Sequence, residues 1–140
     1  MRISTKSRHA ITSMLELTLK DRPVKLSDIS ENNAISLSYL EQIFAALRAK
    51  GLVKGQRGPG GGYMLAKDTT EISIADIISA VDEWVEYAFS KPKMAIPSSQ
   101  PLSTHVLWND LSHQIYDFLA ATTLTDLVAS GSLPVLEKAA

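Results

Sequence analysis

Cysteine is absent from this chain of 140 residues. Disulfides, thiolate-held metal sites, thiol redox sensing and cysteine nucleophiles all need a thiol, so the sequence excludes them. It also lacks a run of about 18 apolar residues, and residues 1–6 have no apolar core, so neither a membrane span nor a signal peptide is indicated. We therefore expect a cytoplasmic protein. Its 45% hydrophobic composition suits one folded domain, or a small domain with an appendage.

Net charge is small as well, at -1, but the charges are unevenly distributed. Residues 1–67 carry 11 Lys and Arg against 5 Asp and Glu, a balance of +6, and residues 68–140 carry 3 against 10, a balance of -7. A basic half most often meets phosphate, because each neutralised phosphate releases counterions. The sequence thus favours double-stranded DNA as a partner, although a solvated basic face without a partner would have the same balance.

A glycine-rich loop spans residues 57–63, where four glycines and a proline exclude a helix or strand interior. Short segments of strand character flank it at residues 52–54 and 63–65, which predicts a β-hairpin with a basic tip. A phosphate-binding P-loop would need Gly-Lys-Ser/Thr leading into a helix, whereas Gly62 leads into a strand. The pattern therefore indicates the wing of a winged helix-turn-helix.

Two helices are predicted before that loop. The first begins at a cap formed by Ser4 or Thr5 and runs to about Leu19 on an apolar stripe. Its first turn contains Lys6 and Arg8, which oppose the helix dipole unless a phosphate lies there, so they are candidate backbone contacts or plain surface charges. The second helix covers residues 26–32, and Asn33 is predicted to close it in the left-handed conformation.

A third helix is the best specified. Ser38 and Glu41 have the spacing of a capping box, an apolar stripe follows from Leu40 to Leu47, and Gly51 is the expected stop. A plain solvated face would carry several Lys/Glu pairs, so the opposite face is more typical of a helix that enters the DNA major groove. That face comprises Ser38, Tyr39, Glu41, Gln42, Ala45, Arg48 and Ala49.

The hairpin supplies further candidate DNA contacts. Arg57 could enter a narrow minor groove, where the potential is most negative. Small residues such as Gly60 let backbone amides approach phosphate, and Lys54 is placed for a phosphate contact.

Beyond residue 68 the pattern changes. Ser73 and Asp76 are predicted to cap a helix that fades at residues 82–83, and three prolines make residues 86–101 an irregular loop. A helix from Ser103 or Thr104 to about Ala121 is too apolar for the remaining chain to cover, which predicts a two-fold dimer. A last short helix, residues 124–129, precedes a frayed tail.

Two motifs together, residues 35–42 (Ile-Ser-Leu-Ser-Tyr-Leu-Glu-Gln) and residues 57–63, resemble the Rrf2 family of bacterial transcription factors. The likeness continues through residues 77–83, 104–112 and 124–128, so it covers nearly the whole chain to about residue 130. It implies a winged-helix homodimer on palindromic promoter sites, whose long carboxy-terminal helix crosses into the partner. By position, the family's base-reading residues are Ser38, Tyr39, Glu41 and Gln42, with Glu41 tuning base choice, and Arg57 is its minor-groove arginine.

The likeness is greatest to family members that hold a [2Fe-2S] cluster on three cysteines and a histidine. His105 matches the histidine, but Ser90, Ile96 and Leu102 stand where the cysteines belong. Serine is a poor iron ligand and the other two cannot coordinate, so we expect no cluster, no metal and no other cofactor. His9 and His113 have no recognisable partners.

The sequence thus predicts a mainly α protein with a small β-hairpin: a winged helix-turn-helix domain over residues 1–83, an effector loop over 84–101, a dimerisation helix and short terminal helix over 102–130, and a flexible tail over 131–140. The loop could sense a small molecule or a protein, or the regulator could be locked in one state. No catalytic arrangement is present, so an enzyme is not expected. A winged helix that binds only proteins is the alternative.

Overall fold

The computed structural model describes residues 3–82 and 104–129. Within them the chain is mostly helical and has one antiparallel hairpin, which confirms the predicted fold class. The order of elements is α1 (Thr5–Leu19), α2 (Leu26–Asn33), α3 (Leu37–Ala49), β1 (Val53–Gln56), β2 (Gly62–Leu65), a 3₁₀ turn (Thr69–Glu71), α4 (Ile74–Val81), α5 (Thr104–Ala121) and α6 (Leu124–Ala129).

Helix α1 begins where the sequence predicts. Ser4 is its N-cap, and the Ser4 Oγ accepts a hydrogen bond from the Ser7 backbone N–H at 3.1 Å. Met14 and Ala10 are fully buried, as the stripe requires. Leu19, expected on that stripe, is instead 58% exposed because it is the last residue of the helix and lies beyond the elements that pack on it.

The turn between α2 and α3 differs from the prediction at one residue. Ala34, not Asn33, adopts the left-handed conformation, with φ 54°. Asn33 remains helical because its side chain is hydrogen-bonded: Nδ2 donates to Glu16 Oε1 at 2.6 Å and to the Ile29 carbonyl at 3.0 Å. The bond to Glu16 connects α2 to α1, and the bond to Ile29 lies within α2.

Both strands of the hairpin extend further towards the tip than predicted, and the first begins at Val53 instead of Leu52. Strand β1 pairs with β2 from Val53 opposite Leu65 to Gln56 opposite Gly62. The hairpin is also attached to the helices. The Val24 N–H donates to the Tyr63 carbonyl at 2.8 Å, and the Tyr63 N–H donates to the Val24 carbonyl at 2.7 Å. The chain segment before α2 thus pairs with the second strand of the wing.

One apolar core joins α1 to α4 and the hairpin, with Phe44, Ile29 and Ile77 among its fully buried residues. The predicted cap of α4 is present as a capping box, in which the Ser73 and Asp76 side chains and backbone N–H groups bond reciprocally at 3.0 Å. The 3₁₀ turn is capped by Asp68, whose pKa is lowered because its carboxylate accepts hydrogen bonds from the Thr70 backbone N–H and the Thr70 hydroxyl.

The end of the described chain returns to this core. Ile74 N–H donates to the Thr122 carbonyl at 2.9 Å, Leu124 N–H donates to the Ile72 carbonyl at 3.0 Å, and Leu124 is fully buried. Thr123 and Asp126 cap α6: the Thr123 N–H donates to Asp126 Oδ2 at 3.0 Å, and the Asp126 N–H donates to Thr123 Oγ1 at 3.2 Å. The short terminal helix therefore packs on the core formed by residues 3–82, while the domain limits drawn from the sequence stay predictions.

Helix α5 leaves much of its apolar stripe uncovered. Phe118 is 71% exposed, Leu107 48% and Leu111 40%, although α5 packs on α4. Among the helices of residues 3–82 and 104–129, none is long and apolar enough to cross a membrane. The predicted effector loop at 84–101, with Ser90 and Ile96, Leu102 beside it, and the tail at 131–140 lie outside the described residues.

Candidate nucleic-acid interface

The amino-terminal end of α3 is built differently from the predicted capping box. Its N-cap is Ser36, whose Oγ accepts a hydrogen bond from the Tyr39 backbone N–H at 3.2 Å. Ser38 therefore lies inside the first turn and is exposed, and its hydroxyl makes no hydrogen bond to any described residue. The prediction that Ser38 caps with Glu41 was wrong. Ser38 and Glu41 have the capping-box spacing, but the helix begins at Leu37 and its cap is Ser36, which precedes Tyr39 by three residues and forms no such box. The Ser38 hydroxyl is therefore available to bind a ligand.

The face of α3 opposite the core is exposed, as expected from the apolar stripe predicted on the other side of the helix. Glu41, Gln42 and Arg48 are solvent-accessible, and Leu40, Ile43 and Phe44 are fully buried beneath them. The polar groups on this face are acceptors and donors of the kinds that read base edges in the major groove.

Tyr39 is the exception on that face, because it is only half-buried and packs against the core. Its ring meets the His9 ring of α1 edge-on, with 5.9 Å between centroids and 81° between planes. Sequence reasoning missed this contact, since thirty residues separate the two rings and no local pattern joins them. The contact holds the Tyr39 ring beside α1.

The tip of the wing has a backbone that only glycine adopts easily. Gly58 and Gly60 have φ of 95° and 76°, and the Gly61 N–H donates to the Gly58 carbonyl at 2.9 Å. A Cβ on Gly61 would collide with the Gln56 carbonyl oxygen, and no side chain surrounds the Gly60 Cβ position. The tip is therefore a compact backbone turn that presents Arg57, which is exposed.

The basic residues predicted to meet DNA have no acidic partner among the described residues. This holds for Arg57 and Lys54 of the hairpin, for Arg48 of α3 and for Arg8 of α1, all of them exposed, and for the half-buried Lys6. Lys6 and Arg8 lie in the first turn of α1, where no acidic residue balances them. Unpaired cations of this kind are what a phosphate backbone requires.

Arg48 and Arg57 line one cleft between α3 and the hairpin. Its volume is about 290 Å³, and its other walls are Gly55, Gln56, Gly62 and Tyr63. The sequence placed both arginines on the DNA-binding surface but gave no indication that they share a cavity.

The described residues offer no donor set of the kind that normally holds an iron–sulfur cluster. The chain has no cysteine, and in residues 3–82 and 104–129 no three His, Asp or Glu side chains are grouped to hold a metal ion. His9 Nδ1 and His113 Nε2 are buried and have no hydrogen-bond partner within the described part of the chain, and neither histidine belongs to such a group there. Nothing in the described residues therefore replaces the thiolates that a cluster normally needs.

Comparisons with known proteins show the class to which this helix-turn-helix with a basic wing belongs. The Rrf2 family profile, described as an iron-dependent transcriptional regulator, matches residues 3–130. The chain therefore belongs to the Rrf2 family. It is a helix-turn-helix transcriptional regulator that binds DNA, and it is not an enzyme.

Among its relatives, the HTH-type transcriptional regulator IscR of Serratia proteamaculans is 48% identical over 130 residues, covering 91% of this chain and 79% of the relative. The oxidised form of Staphylococcus aureus CymR superposes with a TM-score of 0.73 at 35% identity, covering 91% of this chain and 95% of CymR. For the IscR of T. potens the TM-score is 0.73 at 30% identity, over 94% and 88% of the two chains.

Proposed function

We propose that the protein is a sequence-specific regulator that binds palindromic promoter sites as a homodimer and holds no iron–sulfur cluster. The observation that carries this proposal is the exposed polar face of α3 beside an arginine-tipped wing, with no acidic residue of the described chain paired to the cations around them. The DNA would be contacted in the bacterial cytoplasm, where promoters lie.

Base reading is assigned to the exposed first half of α3. Ser38 and Gln42 offer hydroxyl and amide groups to base edges, Glu41 accepts from cytosine N4 and repels bases that present only acceptors, and Tyr39 lies between them with its ring held by His9. Arg57 enters the adjacent minor groove.

Other groups provide affinity that does not depend on sequence. The cations Lys6, Arg8, Arg48 and Lys54 neutralise phosphates, and the Gly60 region brings backbone N–H groups close to the duplex. The Ser4-capped start of α1 adds an amino-terminal helix dipole to the two cations in its first turn.

Dimerisation is supported by the uncovered stripe of α5. Three large apolar side chains between 40% and 71% exposed are costly to leave in water, and a second copy of the same helix would bury them. Two-fold pairing of the helices would place two copies of α3 in related orientations, which is the arrangement that a palindromic site requires.

Control of DNA binding is assigned to something other than a cluster. With no thiolate available, segment 84–101 is proposed to respond to a small molecule or a partner protein, or else the regulator is held in one DNA-binding state.

The proposal is tested by sequencing the genomic DNA fragments that the purified protein retains, followed by affinity measurements on the recovered site. We expect a palindromic consensus and an affinity that falls on the order of 10³-fold between 50 and 200 mM salt, because several phosphates are neutralised. A duplex of equal length with a scrambled consensus is the control. Retention of no common sequence together with a flat salt response would overturn the proposal and favour a winged helix that binds proteins.

A further inference from the structure

The cleft between α3 and the wing contains two cations and no counter-charge. Arg48 approaches from the last turn of α3 and Arg57 from the hairpin, and neither is paired with an acidic group of the described chain. Its remaining polar side chains are the amide of Gln56 and the phenol of Tyr63, both of which can donate hydrogen bonds. The cleft therefore presents donors and positive charge, which are the features that bind an oxyanion.

The frame of this cleft is fixed before any ligand arrives. Tyr63 packs on Phe44 of α3 with ring centroids 4.9 Å apart, and Leu47, beside Arg48, is fully buried. Both backbone polar groups of Tyr63 are bonded to Val24. A preorganised site of this kind binds without first ordering its own backbone.

The position of the cleft within the proposed complex indicates which oxyanion it binds. If α3 lies in the major groove and the wing reaches the neighbouring minor groove, one sugar–phosphate strand must pass between them, because that strand is what separates the two grooves. The cleft is the space between α3 and the wing. The cleft therefore faces the sugar–phosphate strand of the DNA and not the base edges.

We propose that this cleft is the binding site, or seat, for a single backbone phosphodiester. The Arg48 guanidinium binds the phosphodiester, and Arg57 borders the seat on the wing side. The inference rests on the proposed DNA-binding function and separates the roles of the two arginines. Arg48 binds phosphate whatever the sequence, and Arg57 carries the groove-dependent part of recognition. A planar guanidinium suits Arg48 to this task because it can bond two phosphate oxygens at once.

Arg48→Gln tests the seat on the full-length protein, with the recovered site and a scrambled duplex as two DNA probes. We expect the slope of log affinity against log salt concentration to fall by about one on both probes. Affinity should drop about 10-fold on each, so the ratio between the probes stays unchanged. Arg48→Lys should keep the slope, because it retains the charge.

Arg22→Gln is the matched control, since it removes the same charge from an exposed arginine that lines a different cleft, beside Glu16 and Asp28. Its slope should equal that of the unmodified protein. The phosphate itself is located by replacing single phosphates of the site with neutral methylphosphonates. One position should weaken the unmodified protein about 10-fold and leave Arg48→Gln unaffected.

Three results would overturn the seat. They are a slope that Arg48→Gln leaves unchanged, a loss confined to the recovered site, which would mean a base contact, and the absence of any methylphosphonate position coupled to Arg48. If the unmodified protein binds neither probe, the proposed function and the seat fail together. If it binds both and only the Arg48 results disagree, the seat alone fails.

Discussion

Residues 3–82 and helix α5 differ in how far their apolar side chains are buried. In the first region the stripes of α1, α3 and α4 close on one core, and the large apolar side chains left exposed there are Ile3, Leu19 and Leu37. On α5 alone, Phe118, Leu107 and Leu111 remain open to solvent. Most of the apolar surface of the first region is thus buried within a single chain, whereas much of the stripe on one helix is left open.

This difference separates what one chain can do from what needs two. The proposed reading face and the wing are positioned by contacts inside residues 3–82, so one chain is enough to present both to DNA under our proposal. In the proposed dimer, the spacing between two such faces is set by the pairing of α5. Changes on α5 and changes on α3 should therefore have separable effects.

Phe118→Glu is expected to have the largest effect, because it places a charge on the most exposed residue of the apolar stripe. Burying Phe118 once from each chain contributes about 3–6 kcal/mol to a dimer, so the dissociation constant should rise at least 100-fold. Sedimentation velocity should show monomers.

Ala120→Glu is the control, since residue 120 is exposed on the other side of α5 and should leave the mass unchanged. A monomeric unmodified protein, or a Phe118→Glu variant that stays dimeric, would contradict pairing through this stripe.

Arg57→Ala should leave the mass and fold unchanged and act on recognition alone. The affinity for the recovered site should fall by about 1–3 kcal/mol, with a smaller loss on the scrambled duplex, because a minor-groove arginine responds to groove width. Fluorescence anisotropy on both duplexes measures the two losses, and Arg22→Ala is the matched control. Equal losses on both duplexes would assign Arg57 to phosphate binding instead.

Ser36→Ala and Ser38→Ala should separate stability from reading within one helical turn. Removing the N-cap hydroxyl of Ser36 should lower the free energy of unfolding by about 1 kcal/mol. Ser38→Ala should leave it within about 0.5 kcal/mol and weaken binding to the recovered site. Urea unfolding measures the free energy of unfolding, and fluorescence anisotropy measures binding to the recovered site. If Ser38→Ala destabilised the fold as much as Ser36→Ala, Ser38 would share the capping role.

Asp68 should give the smallest effect, confined to acid. Because its folded pKa lies below the unfolded value of about 3.9, its contribution to stability is present above that value and is lost as pH falls through the folded pKa. An NMR titration of the Asp68 carboxyl carbon should show the lowered midpoint, and Asp68→Asn should remove this part of the acid dependence. A midpoint at the unfolded value would show that the Thr70 hydrogen bonds do not form in solution.

Local rules predicted much of this molecule, and long-range contacts explain where they failed. The glycines at 58 and 60, the Ser73–Asp76 box and the stripe of α5 depend on spacing or composition, so the sequence reveals them. Two candidate serines made the start of α3 ambiguous, and the hydrogen bond from Asn33 to Glu16 of α1 holds Asn33 in the helix, so the left-handed residue is Ala34. The shared cleft of Arg48 and Arg57 arises from packing of Tyr63 on Phe44, which no local pattern encodes.

The Val24–Tyr63 bridge bears on the order in which parts of the molecule unfold and fold. A two-stranded hairpin alone is at best marginally stable in water, and here its second strand pairs with the segment that joins α1 to α2. The Tyr63 amide should therefore exchange with solvent about as slowly as the helical core, while amides at the glycine tip exchange freely. During folding the wing should form only after α1 and α2 have packed, so the helices complete the part of the protein that is proposed to reach the minor groove.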